Sequence, residues 1–242
     1  MIKTIYIYWR QGYDDAPFLV KKCIQSWKFH NKDWTIIFLD NTNLHNYIKV
    51  DDYIDLSNKH LLDAHASDII RLIILKEHGG VWADATTFCN RPLNDWLPKY
   101  ISEGFFAFDK PWPNLKINVW WFYAEKDSYI ISEWLTDMIA YYRERDKAHT
   151  YHIMTFLFHD LYNLDDKFKE IYDRVPKISG IPARYLFECG FFNKLTDEIK
   201  IKIDDKQTPI YKLSYKCDNC DVIEIEDYDT NLILYYLYAT ID

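Results

Sequence analysis

Residues 66–86 read ASDIIRLIILKEHGGVWADAT, and this stretch carries the pattern that decides the fold. Apolar Ile69, Leu72 and Ile73 recur at three- and four-residue spacing, which predicts a helix. The Gly-Gly pair that follows supplies the conformational freedom with which helices end. A valine and a tryptophan then begin an extended segment. The stretch therefore predicts a helix, a glycine stop and a short strand that runs into polar residues.

Three charged side chains interrupt this otherwise apolar stretch. Asp68 and Arg71 stand one turn apart, so they share a face of the predicted helix. Asp84 follows the predicted strand. Burying a carboxylate or a guanidinium is costly unless the charge is paired or used. The pattern indicates a functional site at Asp68, Arg71 and Asp84. The structural alternative is an ion pair that only holds the helix to a neighbour, together with a turn-capping carboxylate.

The composition bounds the class of protein. Hydrophobic residues make up 49% of the 242 residues, which supports a sizeable core and excludes disorder as the dominant state. The formal net charge of −8 argues against nucleic-acid binding, although a few local cations would suffice for a small anionic ligand. Aromatic residues make up 18%, and their rings suit stacking on carbohydrates or bases, but coding bias can also enrich tyrosine.

Cysteine usage and the lack of long apolar runs indicate the compartment. The count of five cysteines is odd and their spacing is irregular, so a disulfide framework is not expected. Cys217 and Cys220 have metal-like spacing, but no second pair completes a zinc site, and we interpret them as free thiols in a loop. No run approaches the ~18 apolar residues of a membrane span. We expect a cytoplasmic protein, with at most peripheral contact at the inner face of the membrane.

The order of predicted elements indicates an α/β sheet. β-branched and aromatic residues over 2–9 and 34–39 predict two strands, and apolar periodicity over 17–29 predicts the helix between them. Strand–helix–strand is the start of a parallel sheet, in which ligands bind beyond the carboxyl ends of the strands. We expect three segments that follow strand ends to converge there, namely residues 9–12, Asp40 and Asp84.

The remaining predicted elements are less regular. Strands are expected over 105–108 and 119–124, and helices over 128–145, 151–164 and 231–239. Pro111 and Pro113 predict a loop over 109–114. Residues 178–192 resist assignment. The chain shows no repeat, low-complexity tract or linker, so we expect one domain over residues 1–242.

Four groups of residues together suggest a family. They are YWRQG at 8–12, SDIIRL at 67–72 with GGVWADAT at 79–86, FLFH at 156–159 and KLSYK at 212–216. In content, spacing and order they resemble the capsular polysaccharide synthesis proteins of the glycosyltransferase family 32 type. These belong to the GT-A group, together with the glucosyltransferase domains of large clostridial toxins. The resemblance spans nearly the whole chain, and the central pair of motifs is the most specific.

The resemblance implies a fold and a reaction. The fold is α/β and GT-A-like, a Rossmann-like, mostly parallel sheet flanked by helices, with additional C-terminal helices. The reaction is transfer of a sugar, with retention at the anomeric carbon, from a UDP-linked nucleotide-sugar donor onto a glycan acceptor. The acceptor can be lipid-linked, and the product is a capsular or other surface polysaccharide. A non-catalytic glycan- or nucleotide-sugar-binding module on the same fold is the alternative. A sugar-phosphate transferase would need more phosphate-binding cations than the sequence places.

The resemblance also implies roles for individual residues. Asp68, Arg71 and Asp84 would be catalytic: Asp68 accepts hydrogen bonds from sugar hydroxyls, and Arg71 bridges sugar and phosphate with its planar donors. The residues expected to bind the nucleotide sugar are Trp9, Gln11, Ser67, Trp82, Asn118, His159, Lys212 and Lys216. Structural roles remain the alternative. The tryptophans would then pack in the protein, the histidine would be hydrogen-bonded in the core, and the lysines would lie on a solvent-exposed strand.

One position departs from the family pattern and concerns the metal. The usual motif is Asp-x-Asp, whose second carboxylate binds a divalent ion, but Thr86 stands at that position. A hydroxyl is a poor sole ligand for Mn²⁺ or Mg²⁺. We expect Asp84 to bind the divalent cation, Mn²⁺ or Mg²⁺, with help from phosphate oxygens and a C-terminal ligand. The alternative is that Lys212, Lys216 or Arg71 stabilises the departing diphosphate instead.

Overall fold

The computed structural model describes residues 1–57, 59–112, 115–216 and 229–242. The strands, in chain order, are β1 (Thr4–Tyr8), β2 (Thr35–Leu39), β3 (Gly80–Ala83), β4 (Thr87–Cys89), β5 (Phe105–Trp112), β6 (Leu115–Ala124) and β7 (Ile210–Lys212). The α-helices are α1 (Phe18–His30), α2 (Asp63–His78), α3 (Tyr129–Arg143), α4 (Ile153–Leu164), α5 (Asp166–Arg174), α6 (Tyr185–Cys189), α7 (Asp197–Asp204) and α8 (Ile233–Ala239).

The central sheet has the strand order β2–β1–β3–β6–β5. β1 pairs in parallel with β2 and with β3, whereas β6 is antiparallel to both β3 and β5. Four strands of this sheet therefore run in the same direction in the described part of the chain. Helices flank the sheet, with α2 and α4 packing against β6. The expected mostly parallel α/β sheet is confirmed, and the carboxyl ends of β1, β2 and β3 meet at one edge.

The join between α2 and β3 depends on two glycines. Gly79 has φ +67° and Gly80 has φ +104°, a region in which other L-residues are strained. A Cβ on Gly79 would lie 2.5 Å from the backbone nitrogen of Lys126, and one on Gly80 would lie 2.7 Å from the carbonyl oxygen of Thr4. The predicted helix, glycine stop and strand are confirmed. The helix begins one turn before Ser67, which therefore lies inside α2 and does not cap it.

Most of the aromatic side chains build the core. The largest fully buried side chains include four tryptophans, one each from α1, β3, β6 and α3. Around Trp121 of β6, the ring centroids of Trp96, Phe106 and Phe108 lie 5.4 to 6.0 Å away. Contacts of this kind contribute beyond the area that they bury. The high aromatic content is therefore explained mainly by packing rather than by ligand stacking.

A second apolar cluster gathers the C-terminal elements. Its buried residues come largely from α7, β7 and α8, and they join Leu19 and Cys23 of α1 and Phe88 of β4. β7 pairs antiparallel with β4, and Lys212 lies opposite Thr87. Nothing in the sequence predicts this pairing. It places the C-terminal segment beside the residues that follow β3.

The edge strand β5 corrects one prediction. The sequence predicts a loop over 109–114, but β5 extends to Trp112. A proline such as Pro111 is tolerated here because β5 is at the edge of the sheet, where one side of the strand has no partner. The pairing with β6 is irregular, with register shifts on both sides of Asp109. Residues 113–114 lie outside the described part of the chain.

Three short helices, α5, α6 and α7, are not predicted from the sequence. Each is too short for apolar periodicity to stand out. The side chains of Asp165 and Thr196 cap α5 and α7 by accepting backbone N–H groups at 3.0 and 3.3 Å. The predicted C-terminal helix is confirmed as α8. Among the helices that the structure describes, none is both long and apolar enough to cross a membrane.

Candidate active site

A cavity of about 660 Å³ opens at the carboxyl ends of β1 and β3. Trp9 and Gln11, which follow β1, line it together with Asp84, which follows β3. Two of the three expected segments therefore converge. The third does not, because the Asp40 carboxylate folds back to accept hydrogen bonds from the backbone and the side chain of Thr42.

Arg71 is the centre of the site and is 4% exposed. Its Nη2 lies 3.2 Å from Oδ1 of Asp68 and 3.3 Å from Oδ1 of Asp84. The guanidinium also donates to the hydroxyl and to the backbone oxygen of Ser67, one turn back on α2, and to the backbone oxygen of Val119 in β6. One planar side chain thus joins α2 to the middle of β6 and to the end of β3, as the fork of an arginine allows.

Trp82, expected to be a wall for the ligand, supports the charged groups instead. It is fully buried in β3, and its side chain is not among those that line the cavity. The indole Nε1 donates to Oδ1 of Asp84 at 3.0 Å, and the Arg71 guanidinium lies 5.2 Å from the ring centroid. All four residues of β3 are buried, so this side chain lies in the core. Trp82 therefore holds Asp84 and Arg71 in place from the core side.

Lys212 completes the network from the C-terminal segment. Its Nζ lies 3.3 Å from Oδ2 of Asp84 and 2.5 Å from Oγ1 of Thr86. The side chains of Lys212 and Asp84 are 24% and 25% exposed, and both line the cavity. The pairing of β7 with β4 brings the lysine to this place. Asp84 is therefore held between two cations, Arg71 on one oxygen and Lys212 on the other.

The two carboxylates of the site differ in their protonation. Burial raises the pKa of Asp68 to about 7, which Arg71 opposes and Asp84 reinforces. Burial acts in the same direction on Asp84, but Arg71 and Lys212 outweigh it and hold the pKa of that carboxyl below its usual range. Asp84 is therefore a fixed anion, whereas Asp68 exchanges a proton near neutral pH. Two neighbouring carboxyls with separated pKa values are typical of functional sites.

Replacing Asp68 by asparagine is expected to stabilise the protein at about pH 8. Because folding raises the pKa of Asp68 from 3.8 to about 7, the folded protein retains a proton that the unfolded chain loses between those values. The free energy of unfolding of the parent protein therefore falls as the pH rises through this window. Asparagine does not titrate, so the variant does not lose this stability. We expect a gain on the order of 2–4 kcal/mol at about pH 8.

Urea unfolding at about pH 5 and at about pH 8 measures this effect. The exposed carboxylate Asp51 provides the control, because Asp51→Asn is expected to leave the pH dependence as it is in the parent protein. An Asp68→Asn variant that loses stability between the two pH values as steeply as the parent protein would show that Asp68 is not the group responsible.

Two further predicted site residues, besides Trp82, do not line the cavity. Asn118 is buried inside the sheet, where its side chain donates to the backbone oxygen of Phe108 and accepts from the backbone nitrogen of Trp121, each at 3.0 Å. His159 is exposed on α4, because the opposite face of that helix is the one that packs inward. The structure brings His152, just before α4, to the cavity instead. Ser67 and Lys216 line the cavity.

Sequence reasoning missed Arg184, Tyr151 and Phe187, which also line the cavity. They lie at the start of one predicted helix and in a segment without periodicity, so no pattern marked them. Of these three, Arg184 adds a positive charge to the site. The lining contains five cationic side chains and three carboxylates, namely Arg10, Arg71, Arg184, Lys212 and Lys216 against Asp63, Asp68 and Asp84. A locally positive cavity in a chain of net charge −8 favours an anionic ligand.

The residues around Asp84 do not form a good site for a divalent metal. Its two oxygens already face Arg71 and Lys212, and the Thr86 hydroxyl accepts from the same lysine. Mn²⁺ and Mg²⁺ prefer several oxygen ligands, usually with uncompensated charge. Within the described ranges, no group of three or more His, Cys, Asp or Glu side chains could hold a metal ion. Residues 217–228, which include Cys217 and Cys220 and any ligand from that segment, lie outside those ranges.

Comparison with known proteins places the chain among glycosyltransferase-related sequences. Residues 1–230 match the profile of a family described as capsular polysaccharide synthesis protein. The O-glycosyltransferase braB of Annulohypoxylon truncatum is 26% identical over 152 residues, which are 55% of this chain and 36% of the relative. An uncharacterized glycosyltransferase of Acanthamoeba polyphaga mimivirus is 32% identical over 110 residues, which are 42% of this chain and 40% of the relative. The matches thus span less than half of either relative.

A more distant likeness exists to the solved structure of a glycosyltransferase involved in the glycosylation of the major capsid of PBCV-1. Its sequence is 13% identical, the TM-score is 0.48, and the alignment covers 88% of this chain and 93% of the other. The profile match is the stronger finding, since it runs over residues 1–230 and includes both strand-end motifs that line the cavity. On that ground this chain belongs to the capsular polysaccharide synthesis protein family.

Proposed function

We propose that the protein is a glycosyltransferase that moves a sugar from a nucleotide-sugar donor onto a glycan acceptor. The observation that carries this proposal is the network of Asp84 between Arg71 and Lys212 in a positively charged cavity at the strand ends. A cavity of about 660 Å³ is of the size that encloses a small-molecule ligand. Family membership supplies the class of reaction.

The cavity offers complementary groups for each part of such a donor. The C-terminal part of the chain contributes three cations to the cavity, and these suit a diphosphate: Lys212, Lys216 and Arg184. Trp9 suits the nucleoside, because its indole lines the cavity and an aromatic ring can stack on a base. Asp68, which lines the same cavity, suits the sugar hydroxyls.

The chemistry follows from where negative charge develops. The bond between the anomeric carbon and the donor phosphate oxygen breaks, and the acceptor hydroxyl oxygen bonds to that carbon. The hydroxyl proton passes to the departing phosphate oxygen, so no protein nucleophile is required. Fixed cations at the diphosphate stabilise the charge that accumulates in the transition state. We propose retention at the anomeric carbon, a UDP-linked donor and a role in capsular or other surface polysaccharide synthesis. The family description supports the last of these.

We place the reaction in the cytoplasm, with at most peripheral contact at the inner face of the membrane. Cys23 and Cys89 support this location because both are free and buried. Free thiols are usual in a reducing compartment. A lipid-linked acceptor would require the peripheral contact.

Turnover of a donor tests the proposed function. The purified protein is incubated with a panel of UDP-, GDP-, CDP- and ADP-sugars, each with Mn²⁺ and with EDTA, and release of the nucleotide is followed. We expect release from at least one donor, and the anomeric signal of the product in a proton NMR spectrum reports retention or inversion. Binding of a donor without any release would favour the non-catalytic binding module. If no donor is bound or turned over under either condition, the proposal is wrong.

Three exposed apolar side chains at the cavity suit the acceptor. Leu62, Tyr151 and Phe187 are 58%, 64% and 43% exposed and belong to its lining. Aromatic faces stack on the apolar faces of sugar rings. We therefore propose that the acceptor glycan lies across this rim, outside the donor.

Replacing Tyr151 by alanine is expected to raise the KM for the acceptor by about 5- to 10-fold, the effect of losing one stacking ring. Hydrolysis of the donor without acceptor is expected to stay unchanged, because Tyr151 lies at the rim. Tyr13→Ala serves as the control, since Tyr13 is also an exposed tyrosine, at 43%, but does not line the cavity. Steady-state kinetics with varied acceptor measure the effect. An equal rise in the KM for the donor would place Tyr151 in the donor site instead.

A further inference from the structure

The side chain of Lys212 lies where the motif would hold a metal ion. In the family pattern Asp-x-Asp, the second carboxylate binds the cation, and Asp84 is the first of the two acids. Here the third residue is Thr86, and the two groups at these positions, the Asp84 carboxylate and the Thr86 hydroxyl, both contact Lys212 Nζ, at 3.3 and 2.5 Å. The side chains at the two motif positions therefore hold an ammonium group.

The backbone fixes Lys212 in this position. Lys212 pairs with Thr87 in the β4–β7 ladder, and the backbone nitrogen of Leu213 donates to the backbone oxygen of Thr86 at 2.8 Å. The lysine is thus attached to the same short segment that its side chain contacts. An ammonium group has three N–H donors, and Asp84 and Thr86 account for two of them. Among the described residues, the third donor has no partner, so it can serve a group in the cavity, which Lys212 lines.

Charge and residue type agree with this arrangement. A threonine in place of the second aspartate removes one negative charge, and the lysine adds one positive charge at the same place. Both differences disfavour a divalent ion and favour a single fixed cation. Arg71 neutralises the other oxygen of Asp84, so little negative charge is left to attract a metal. Lys216 and Arg184 line the same cavity and extend the positive surface.

Resting on the proposed function, we propose that Lys212 is the built-in cation that binds the diphosphate of the nucleotide sugar in place of a divalent metal ion. The ammonium donates to a phosphate oxygen while Asp84 and Thr86 hold it. It stabilises the nucleoside diphosphate as the sugar leaves, a role that a preorganised cation performs without reorganisation. Asp84 therefore acts through Lys212 rather than as a metal ligand.

Calorimetric titration with UDP, GDP, CDP and ADP, in excess EDTA and in excess Mn²⁺, tests the inference. We expect at least one of these nucleotides to bind in EDTA, with a Kd within about twofold of that in Mn²⁺, a difference below the effect of one charged contact. Binding that requires Mn²⁺ and is lost in EDTA would overturn the inference and leave the proposed function intact. If none of the four nucleotides binds under either condition, the proposed function fails and the inference fails with it.

Variants of Lys212 give the second part of the test. Lys212→Met is expected to weaken nucleotide binding in EDTA by about 10- to 100-fold, the effect of losing a charged hydrogen bond. Lys212→Arg, which keeps the charge, is expected to recover most of the affinity. Lys99→Met removes an exposed lysine outside the cavity and controls for net charge. Unchanged binding by a folded Lys212→Met protein would overturn the inference. If that variant does not fold, nucleotide binding by the parent protein in EDTA and in Mn²⁺ still tests the inference.

Discussion

Replacing Asp84 by asparagine is expected to reduce the rate of sugar transfer by about 100- to 1,000-fold, the effect of removing a preorganised charge from an active site. Asp84 accepts from Trp82 and lies 3.3 Å from both Arg71 and Lys212. Asparagine has nearly the same shape but no charge, so both cations lose their anchor. The kcat of nucleotide release from the donor that the protein turns over measures the effect.

Asp40→Asn is the matched control for this variant. Asp40 also follows a strand of the same sheet, but it does not line the cavity. We expect its activity to stay close to that of the parent protein. Thermal unfolding of Asp84→Asn shows whether the folded protein is being measured. Full activity of the folded Asp84→Asn variant would refute the assignment of the site, although the function itself could still be correct.

Replacing Arg71 by methionine is expected to cause the largest loss of stability. The variant leaves the Asp68 and Asp84 carboxyls close together without the guanidinium that separates them, and it removes the donors to Ser67 and Val119. Breaking a buried pair on one side costs about 3–5 kcal/mol. Transfer activity is expected to be lost as well, because Asp84 loses one of its two cations. The midpoint of urea unfolding at about pH 8 measures the stability.

Two further substitutions sharpen this measurement. Arg71→Lys keeps the charge but not the planar fork, so we expect it to recover only part of the lost stability. Arg174→Met removes an arginine with two carboxylate partners at the surface, Glu103 and Glu170. We expect that loss to be about 0–1 kcal/mol, as is usual for surface ion pairs. A similar small loss for Arg71→Met would mean that the buried network does not stabilise the fold.

Asp68 shows that the site itself is costly. A carboxyl whose pKa is raised to about 7 by burial destabilises the protein at physiological pH. Packing alone does not call for a charged residue here, since neighbouring positions of α2 are apolar and buried. Retaining Asp68 despite its cost is consistent with a role in binding or catalysis.

The cavity shows which site residues can be predicted and which cannot. Asp68, Arg71 and Asp84 stand out because charges interrupt an apolar pattern, and the structure brings them together as expected. Trp82 and Asn118 occupy the same local sequence context as ligand-binding residues do, but the structure buries both side chains in the core. Which face of a strand is buried depends on what packs against it. That information lies in other parts of the chain.

The sequence by itself determined the elements whose signals are local. The helix, the glycine stop and the strand over 66–86 follow from apolar spacing and from backbone conformations that only glycine adopts without strain. The parallel pairing of β1 with β2 follows in the same way from the predicted order strand, helix, strand. Only the tertiary structure decided that Lys212 faces Asp84. The pairing of β4 with β7 places Lys212 beside Thr86, and it depends on apolar packing between segments far apart in the chain. Non-local pairing of this kind leaves no periodic pattern in either segment, because a short strand carries too few residues to specify its partner.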